Sequence, residues 1–219
     1  AERVVCLDEK TGKKVWEHVE RVYHSDVVSS RLGWTPLTAD PATGRIYANT
    51  TAGNLICLDK DGKLVWQRQL TEEFGRFTGY GGRVGAPLFD SGLVVIGIIN
   101  SSWGDHARGG NRFYAFDGAT GQVTWIADTG VPPKSTYQSN PVVAVIGGQR
   151  LLITGTGDGH LSAYKVRTGE LAWSYLFSGG HVSPSPVVDG NLVYGAHGEE
   201  NPGGGVIGDC TKGAAQAES

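Results

Sequence analysis

Hydrophobic positions along the chain fall in short runs, each closed by a glycine-bearing turn, and one such run returns four times. Val4-Val5-Cys6-Leu7-Asp8 leads through Thr11-Gly12 to Trp16. Leu55-Ile56-Cys57-Leu58-Asp59 leads through Asp61-Gly62 to Trp66. Phe113-Tyr114-Ala115-Phe116-Asp117 leads through Thr120-Gly121 to Trp125, and Leu161-Ser162-Ala163-Tyr164-Lys165 through Thr168-Gly169 to Trp173. In every copy the glycine stands four residues before the tryptophan, and successive tryptophans are 50, 59 and 48 residues apart. Each copy predicts a strand, a tight turn and a second strand. The Asp side chain bonds the backbone ahead of it and the glycine supplies positive φ. The indole then lies in the outgoing strand, where a large ring can cover a neighbouring sheet.

A second hairpin precedes each of the later three copies and follows the last. It starts at Thr35-Pro36-Leu37, Ala86-Pro87-Leu88-Phe89, Asn140-Pro141-Val142-Val143 and Ser185-Pro186-Val187-Val188. Proline is tolerated at a strand start because its missing donor is not needed there. The unit is four antiparallel strands, A to D. Such a sheet cannot bury both faces alone, and stacking copies radially solves that. A β-sandwich would not require one signature at fixed intervals. The predicted fold is therefore all-β: a β-propeller of four-stranded antiparallel blades, about three complete and two partial. The blades are expected at 1–19 (C and D strands only), 34–70, 84–129, 138–177 and 182–205 (partial), forming one repeat domain over 1–205. Residues 206–219 read as an irregular tail.

Composition narrows the function. Thirty-four glycines among 219 residues are about twice the usual share, which suits many short strands and turns. A net charge of −3, from 19 basic and 22 acidic residues, argues against a nucleic-acid binder that neutralises phosphates. No run approaches the ~18 apolar residues of a membrane span, and no secretory leader is read. Cys6, Cys57 and Cys210 make neither a disulfide framework nor a metal cluster. Cys6 and Cys57 share the repeat position of Ala115 and Ala163, so they read as small buried residues.

Strand order decides which loops share an end. The A–B and C–D turns are short and stereotyped. The D–A and B–C loops at the other end are long and irregular, and loops of that kind carry function. Five of six histidines, His24, His106, His160, His181 and His197, fall there, and His18 does not. The binding-face candidates are His24, Asp26, Arg31, Glu73, Arg76, Arg83, Trp103, Asp105, His106 and His160. Glu72-Glu73 beside Arg76 and Arg83 offers an anion site, or internal ion pairs that hold a long loop. Asp158-Gly159-His160 and His197-Gly198-Glu199-Glu200 carry ligand residue types without a recognised metal spacing, so no metal is predicted. No nucleophile elbow or phosphate-cradling loop occurs. Trp16, Trp66, Trp125 and Trp173, with Gly12, Gly62, Gly121 and Gly169, read as blade packing rather than a cofactor box.

The Asp-x-x-Thr-Gly-x-x-x-Trp signature resembles the repeat of pyrroloquinoline-quinone-like (PQQ-like) propellers over residues 1 to about 205. The second copy is one residue shorter, and Lys165 replaces the Asp of the fourth. The resemblance implies seven or eight blades in a closed ring, so this chain reads as an arc of a larger ring. A four-bladed ring closed by the two half-blades is the alternative. Missing blades or self-association are expected at the open ends. The family includes quinoprotein alcohol dehydrogenases and a non-enzymatic outer-membrane assembly lipoprotein, and the resemblance implies an extracytoplasmic location. The dehydrogenases use an adjacent Cys-Cys disulfide beneath the quinone, with calcium and a catalytic Asp. No two cysteines here are adjacent, and no Asp is matched to the base. The expectation is a non-catalytic binding or scaffold propeller for a protein or cell-envelope component, with no cofactor. A PQQ- and calcium-dependent periplasmic dehydrogenase is the runner-up, and a sensor module fused to a signalling domain is a third reading.

Overall fold

A computed structural model describes residues 1–22, 32–75, 84–99, 111–129, 133, 139–176, 178–197 and 214–216. It is built almost wholly of strands arranged in five antiparallel sheets. The first pairs β1 (Glu2–Leu7) with β2 (Lys14–Glu20). The second holds β3 (Thr38–Ala39), β4 (Ile46–Asn49), β5 (Asn54–Leu58) and β6 (Leu64–Gln69), followed by the one-turn helix α1 (Leu70–Phe74). The third holds β7 (Leu88–Asp90), β8 (Leu93–Ile99), β9 (Asn111–Asp117) and β10 (Val123–Asp128). The fourth holds β11 (Val142–Ile146), β12 (Gln149–Gly155), β13 (His160–Lys165) and β14 (Leu171–Leu176). The fifth holds β15 (Val187–Asp189), β16 (Leu192–Tyr194) and β17 (Ala214–Gln216). Each complete sheet runs in chain order A-B-C-D, which makes the chain a partial β-propeller.

Three details differ from the sequence reading. Strand A starts one or two residues beyond each proline, at Thr38, Leu88, Val142 and Val187, because proline has no N–H for the ladder. Ala214–Gln216, within the stretch expected as an irregular tail, pairs with β16. The stretch after Gln69, expected as loop, opens with α1, which buries Leu70 and packs Phe74 against Tyr114 at 4.5 Å.

The hairpin turns close as their residues dictate. The Asp8 and Asp117 carboxylates each accept the N–H and hydroxyl of the Thr three residues on, at 2.7–2.8 Å. In the shorter second copy, Gly62 N–H bonds Asp59 O instead of a carbonyl four residues back. Lys165 cannot accept such bonds. Its turn keeps the Gly169 N–H to Lys165 O bond and adds an ion pair from Lys165 Nζ to Glu170 at 2.9 Å.

The core lies between sheets. Val4 meets Ala48, Ile56 and Leu58. Tyr47, Leu55 and Cys57 meet Val94, Ile96 and Phe116. Val95, Phe113 and Ala115 meet Leu152 and Tyr164, and Leu151, Ile153 and Ala163 meet Val193. Each of the three complete sheets therefore offers alternate C-strand residues to the neighbour on each side. Cys57 is fully buried in this layer, and burial pushes its thiol up to about 11.

The tryptophans join successive sheets with one geometry. Trp16 Nε1 donates to Lys60 O at 2.9 Å, Trp66 Nε1 to Gly118 O at 3.0 Å, and Trp125 Nε1 to Val166 O at 3.0 Å. Each acceptor is the second residue of the next sheet's C–D turn. Each indole also lies over the glycine of that turn. A Cβ built at Gly62, Gly121 or Gly169 would stand 2.6, 2.8 or 2.5 Å from the ring, and all three glycines have positive φ, between +71° and +78°. Glycine is required there twice over, for the left-handed backbone and for the ring.

Candidate functional site

Antiparallel order puts the A–B and C–D turns at one end, where Gly118 N–H bonds Gly92 O and Val166 N–H bonds Arg150 O. The B–C turns and D–A segments meet at the other end. There Val182 N–H bonds Thr156 O at 3.0 Å, Ser178 N–H bonds Gly159 O at 2.9 Å, and Asn49 Nδ2 donates to Gly85 O at 2.8 Å. The two ends differ in chemistry. Among the buried polar residues of the described chain, Asp90 alone belongs to the short-turn end. The others, including Glu2, Thr51, Asn54, Asn111, Ser139 and Asp158, lie in the halves of the sheets that run to the B–C and D–A loops. Buried polar groups need partners, so this end is held by a hydrogen-bonded frame.

The frame runs from sheet to sheet. Glu2 is nearly buried, and its carboxylate accepts Gly33 N–H at 2.7 Å, Thr51 Oγ1–H at 2.5 Å and Thr51 N–H at 2.9 Å. Three donors offset the cost of burying that charge. Asn54 Nδ2 donates to Glu20 Oε2 at 3.0 Å, Asn54 Oδ1 accepts from Gln69 Nε2 at 2.6 Å, and Glu20 Oε1 lies 2.7 Å from His18 Nε2. His18 therefore stands at the long-loop end, a correction to its placement from the sequence, because the D strand carries it there. Asp158, 2% exposed, accepts from Thr156 Oγ1 and lies 3.2 Å from His160 Nδ1, without the alignment of a hydrogen bond. Asn111 is fully buried, and neither of its amide atoms has a hydrogen-bond partner.

Of the predicted binding-face residues, His160 and Glu73 are described. His160 flanks the turn over 156–159 at the loop end, partly exposed beside buried Asp158. Glu73 accepts from Arg68 Nε at 2.9 Å, and Arg68 Nη1 reaches Gly121 O of the next sheet at 2.8 Å. That hydrogen bond to Glu73 is the main cause holding the Arg68 guanidinium pKa above its usual value. Glu73 thus braces a joint between sheets. His24, Asp26, Arg31, Arg76, Arg83, Trp103, Asp105 and His106 lie outside the described residues. The sequence does not single out Glu2, Glu20, Asn54 and Thr51. Their one signal is a polar residue at the loop end of a B, C or D strand. Among the described residues no group of three or more His, Cys, Asp or Glu is placed to hold a metal ion, and no helix is long and apolar enough to cross a membrane.

Comparison with known proteins gives the same architecture. A family model described as "Outer membrane protein assembly factor BamB" matches residues 1–217. The "Alcohol dehydrogenase (quinone), dehydrogenase subunit" of Komagataeibacter europaeus is 31% identical over 203 residues, covering 90% of this chain and 25% of that protein. The "Outer membrane protein assembly factor BamB" of Nitrosomonas eutropha is 25% identical over 201 residues, covering 87% of this chain and 41% of that one. The chain thus spans well under two thirds of either relative. Among solved structures, BamB from Moraxella catarrhalis superposes with a TM-score of 0.62 at 18% identity, over 89% of this chain and 53% of that one. The quinohemoprotein alcohol dehydrogenase of Comamonas testosteroni gives 0.58 at 18% identity, over 98% of this chain and 40% of that one. With the family match spanning all five sheets, and the tryptophan joint repeated between the first four, the chain belongs to the PQQ-like propeller repeat family that takes its description from the outer membrane assembly factor.

Proposed function

We propose that the chain is a non-catalytic binding propeller of the cell envelope, whose D–A/B–C loop end presents a polar surface to a protein or envelope component. The carrying observation is the use made of three carboxylates described at that end. Glu2 is spent on Thr51 and Gly33, Glu20 on His18 and Asn54, and Asp158 on Thr156. Groups tied into backbone and neighbouring sheets hold loops in place, which is what a presenting surface needs. The family description, an assembly factor of the outer membrane, supports this reading and the extracytoplasmic location.

The second reading, a quinone-dependent dehydrogenase, is favoured by the 31% identical relative. The cofactor arrangement that the resemblance implies needs two adjacent cysteines. Cys6 and Cys57 occupy equivalent positions in different sheets, and Cys57 lies in the apolar layer between sheets. These two cysteines do not form the adjacent pair that the quinone arrangement needs.

Two measurements test the proposal. A photo-crosslinking amino acid at position 103, in the stretch that the sequence predicts to be a long B–C loop, is expected to capture a discrete envelope protein in cells that make this chain. The same residue at position 10, in a C–D turn, is expected to capture none. A chromophore that stays bound after adding the quinone with calcium, together with dye-linked alcohol oxidation, would overturn the proposal.

A further inference from the structure

Four aspartates of the chain are followed directly by glycine: Asp61, Asp117, Asp158 and Asp189. Such a pair has a chemistry of its own. Glycine has no side chain to shield its amide nitrogen, so that nitrogen can attack the Cγ of the aspartate before it and close a succinimide ring. The reaction needs two freedoms at once. The carboxyl group must be able to turn back on the next peptide, and the glycine N–H must not be held in another bond.

In three of the four pairs the glycine N–H is held. Gly62 N–H bonds Asp59 O at 3.0 Å, and the Trp16 ring lies over that glycine. Gly118 N–H bonds Gly92 O at 2.8 Å, while the Asp117 carboxylate accepts Thr120 N–H and Oγ1–H, both at 2.8 Å. Gly159 N–H bonds Thr156 O at 3.3 Å, and buried Asp158 accepts from Thr156 Oγ1. The fourth pair differs. Asp189 ends β15, Leu192 begins β16, and Gly190-Asn191 form the whole turn between them. Asp189, Gly190 and Asn191 are all exposed, Gly190 has φ +58°, and a Cβ built on it has nothing within 4 Å. Among the described residues neither the Asp189 carboxylate nor the Gly190 N–H has a hydrogen-bond partner. The turn itself explains the free N–H. A two-residue hairpin bonds through its flanking residues, so the N–H of its first turn residue points to solvent.

We infer that Asp189-Gly190 is a modification site, where spontaneous succinimide formation converts the aspartate to isoaspartate. In the first step the Gly190 nitrogen bonds Asp189 Cγ, the Cγ–OH bond breaks, and water leaves with the amide proton. In the second step water adds to one of the two ring carbonyls. Opening at one restores aspartate, and opening at the other leaves the main chain running through the former side chain. The water lost in the first step is regained in the second, so no oxidant, reductant or second substrate takes part. Isoaspartate lengthens the main chain by one methylene at the turn. The β15–β16 hairpin has Val187 facing Tyr194, Val188 facing Val193 and Asp189 facing Leu192. A longer turn does not keep Asp189 opposite Leu192, because turn length sets hairpin register. Val193 packs with Ile153 and Ala163 of the fourth sheet, so the modification loosens the joint between the fourth and fifth sheets.

The test ages the folded 219-residue chain at neutral pH and digests it. A methyltransferase specific for isoaspartyl carboxyl groups then labels the peptides, and mass spectrometry locates the label. Position 189 is expected to gain label at least about fivefold faster than positions 61, 117 and 158, since each of those must first open a hydrogen bond. Ageing in guanidinium chloride frees all four glycines, and the four rates are expected to converge. Asp189→Ser is expected to remove the label at 189 and leave the other three as they were. Label at 61, 117 or 158 that keeps pace with 189 in the folded chain would overturn the inference. So would a position 189 that gains label in guanidinium chloride but none in the folded chain.

Discussion

Replacing Gly169 with alanine puts a Cβ 2.5 Å from Trp125 Cε3 and 2.7 Å from Cδ2, inside any tolerable contact. It also asks an L-residue to hold φ +71°. The second cost alone is about 1–2 kcal/mol. The first is an overpacking cost, typically about 1–3 kcal/mol, because the indole is pinned by its bond to Val166 O and is 8% exposed. Gly190 supplies the control, with φ +58° and nothing within 4 Å of its Cβ, so Gly190→Ala carries only the backbone cost. Urea unfolding followed by tryptophan fluorescence should place Gly169→Ala about 1–3 kcal/mol below Gly190→Ala. Trp125→Ala should abolish that extra cost in the double variant, a coupling between touching residues. Equal losses for the two glycine variants, or additive losses in the double variant, would refute the claim that the ring makes this glycine obligatory.

Three further outcomes are expected. Arg150 Nε donates to Asp90 Oδ2 at 2.8 Å, and that bond is the main reason the Asp90 carboxyl lies below the usual carboxylate range. A depressed folded pKa contributes stability above the unfolded value and loses it as pH falls through the folded one. Asp90→Asn should therefore flatten the loss of stability between about pH 5 and 2 in acid unfolding, and an unchanged acid limb would contradict the pair. Lys165→Asp alone sets a second carboxylate beside Glu170, whereas Lys165→Asp with Glu170→Lys restores the Asp turn and Lys of the first two copies. The double swap should be more stable than the single by roughly 0.5–1 kcal/mol in thermal unfolding. Cys57 is fully buried with its thiol pushed up to about 11, so a thiol reagent at pH 8 should leave it unmodified until urea unfolds the chain, as mass spectrometry would show.

The repeat is legible from the residues because its parts act over a few positions. Asp8, Thr11 and Gly12 close a turn among themselves, and the apolar run from Leu55 to Leu58 marks a strand buried on both faces. Where chemistry departs from that local rule, the residues alone mislead. Counting the proline into the ladder starts strand A too early, one turn of helix has no period to reveal α1, and Ala214–Gln216 has no apolar alternation of its own.

Partners are a different matter. That a tryptophan recurs is visible along the chain, but that Trp16, Trp66 and Trp125 each donate to a carbonyl 41–52 residues away is set by how one twisted sheet lies on the next. The same holds for the polar frame. Glu2 and Thr51, or Glu20 and Asn54, are unremarkable as single residues, and they become a site only because stacking carries the loop ends of neighbouring sheets together and excludes water from between them. Local turn and strand preferences live in contiguous atoms, whereas which donor meets which acceptor across a blade joint is decided by packing.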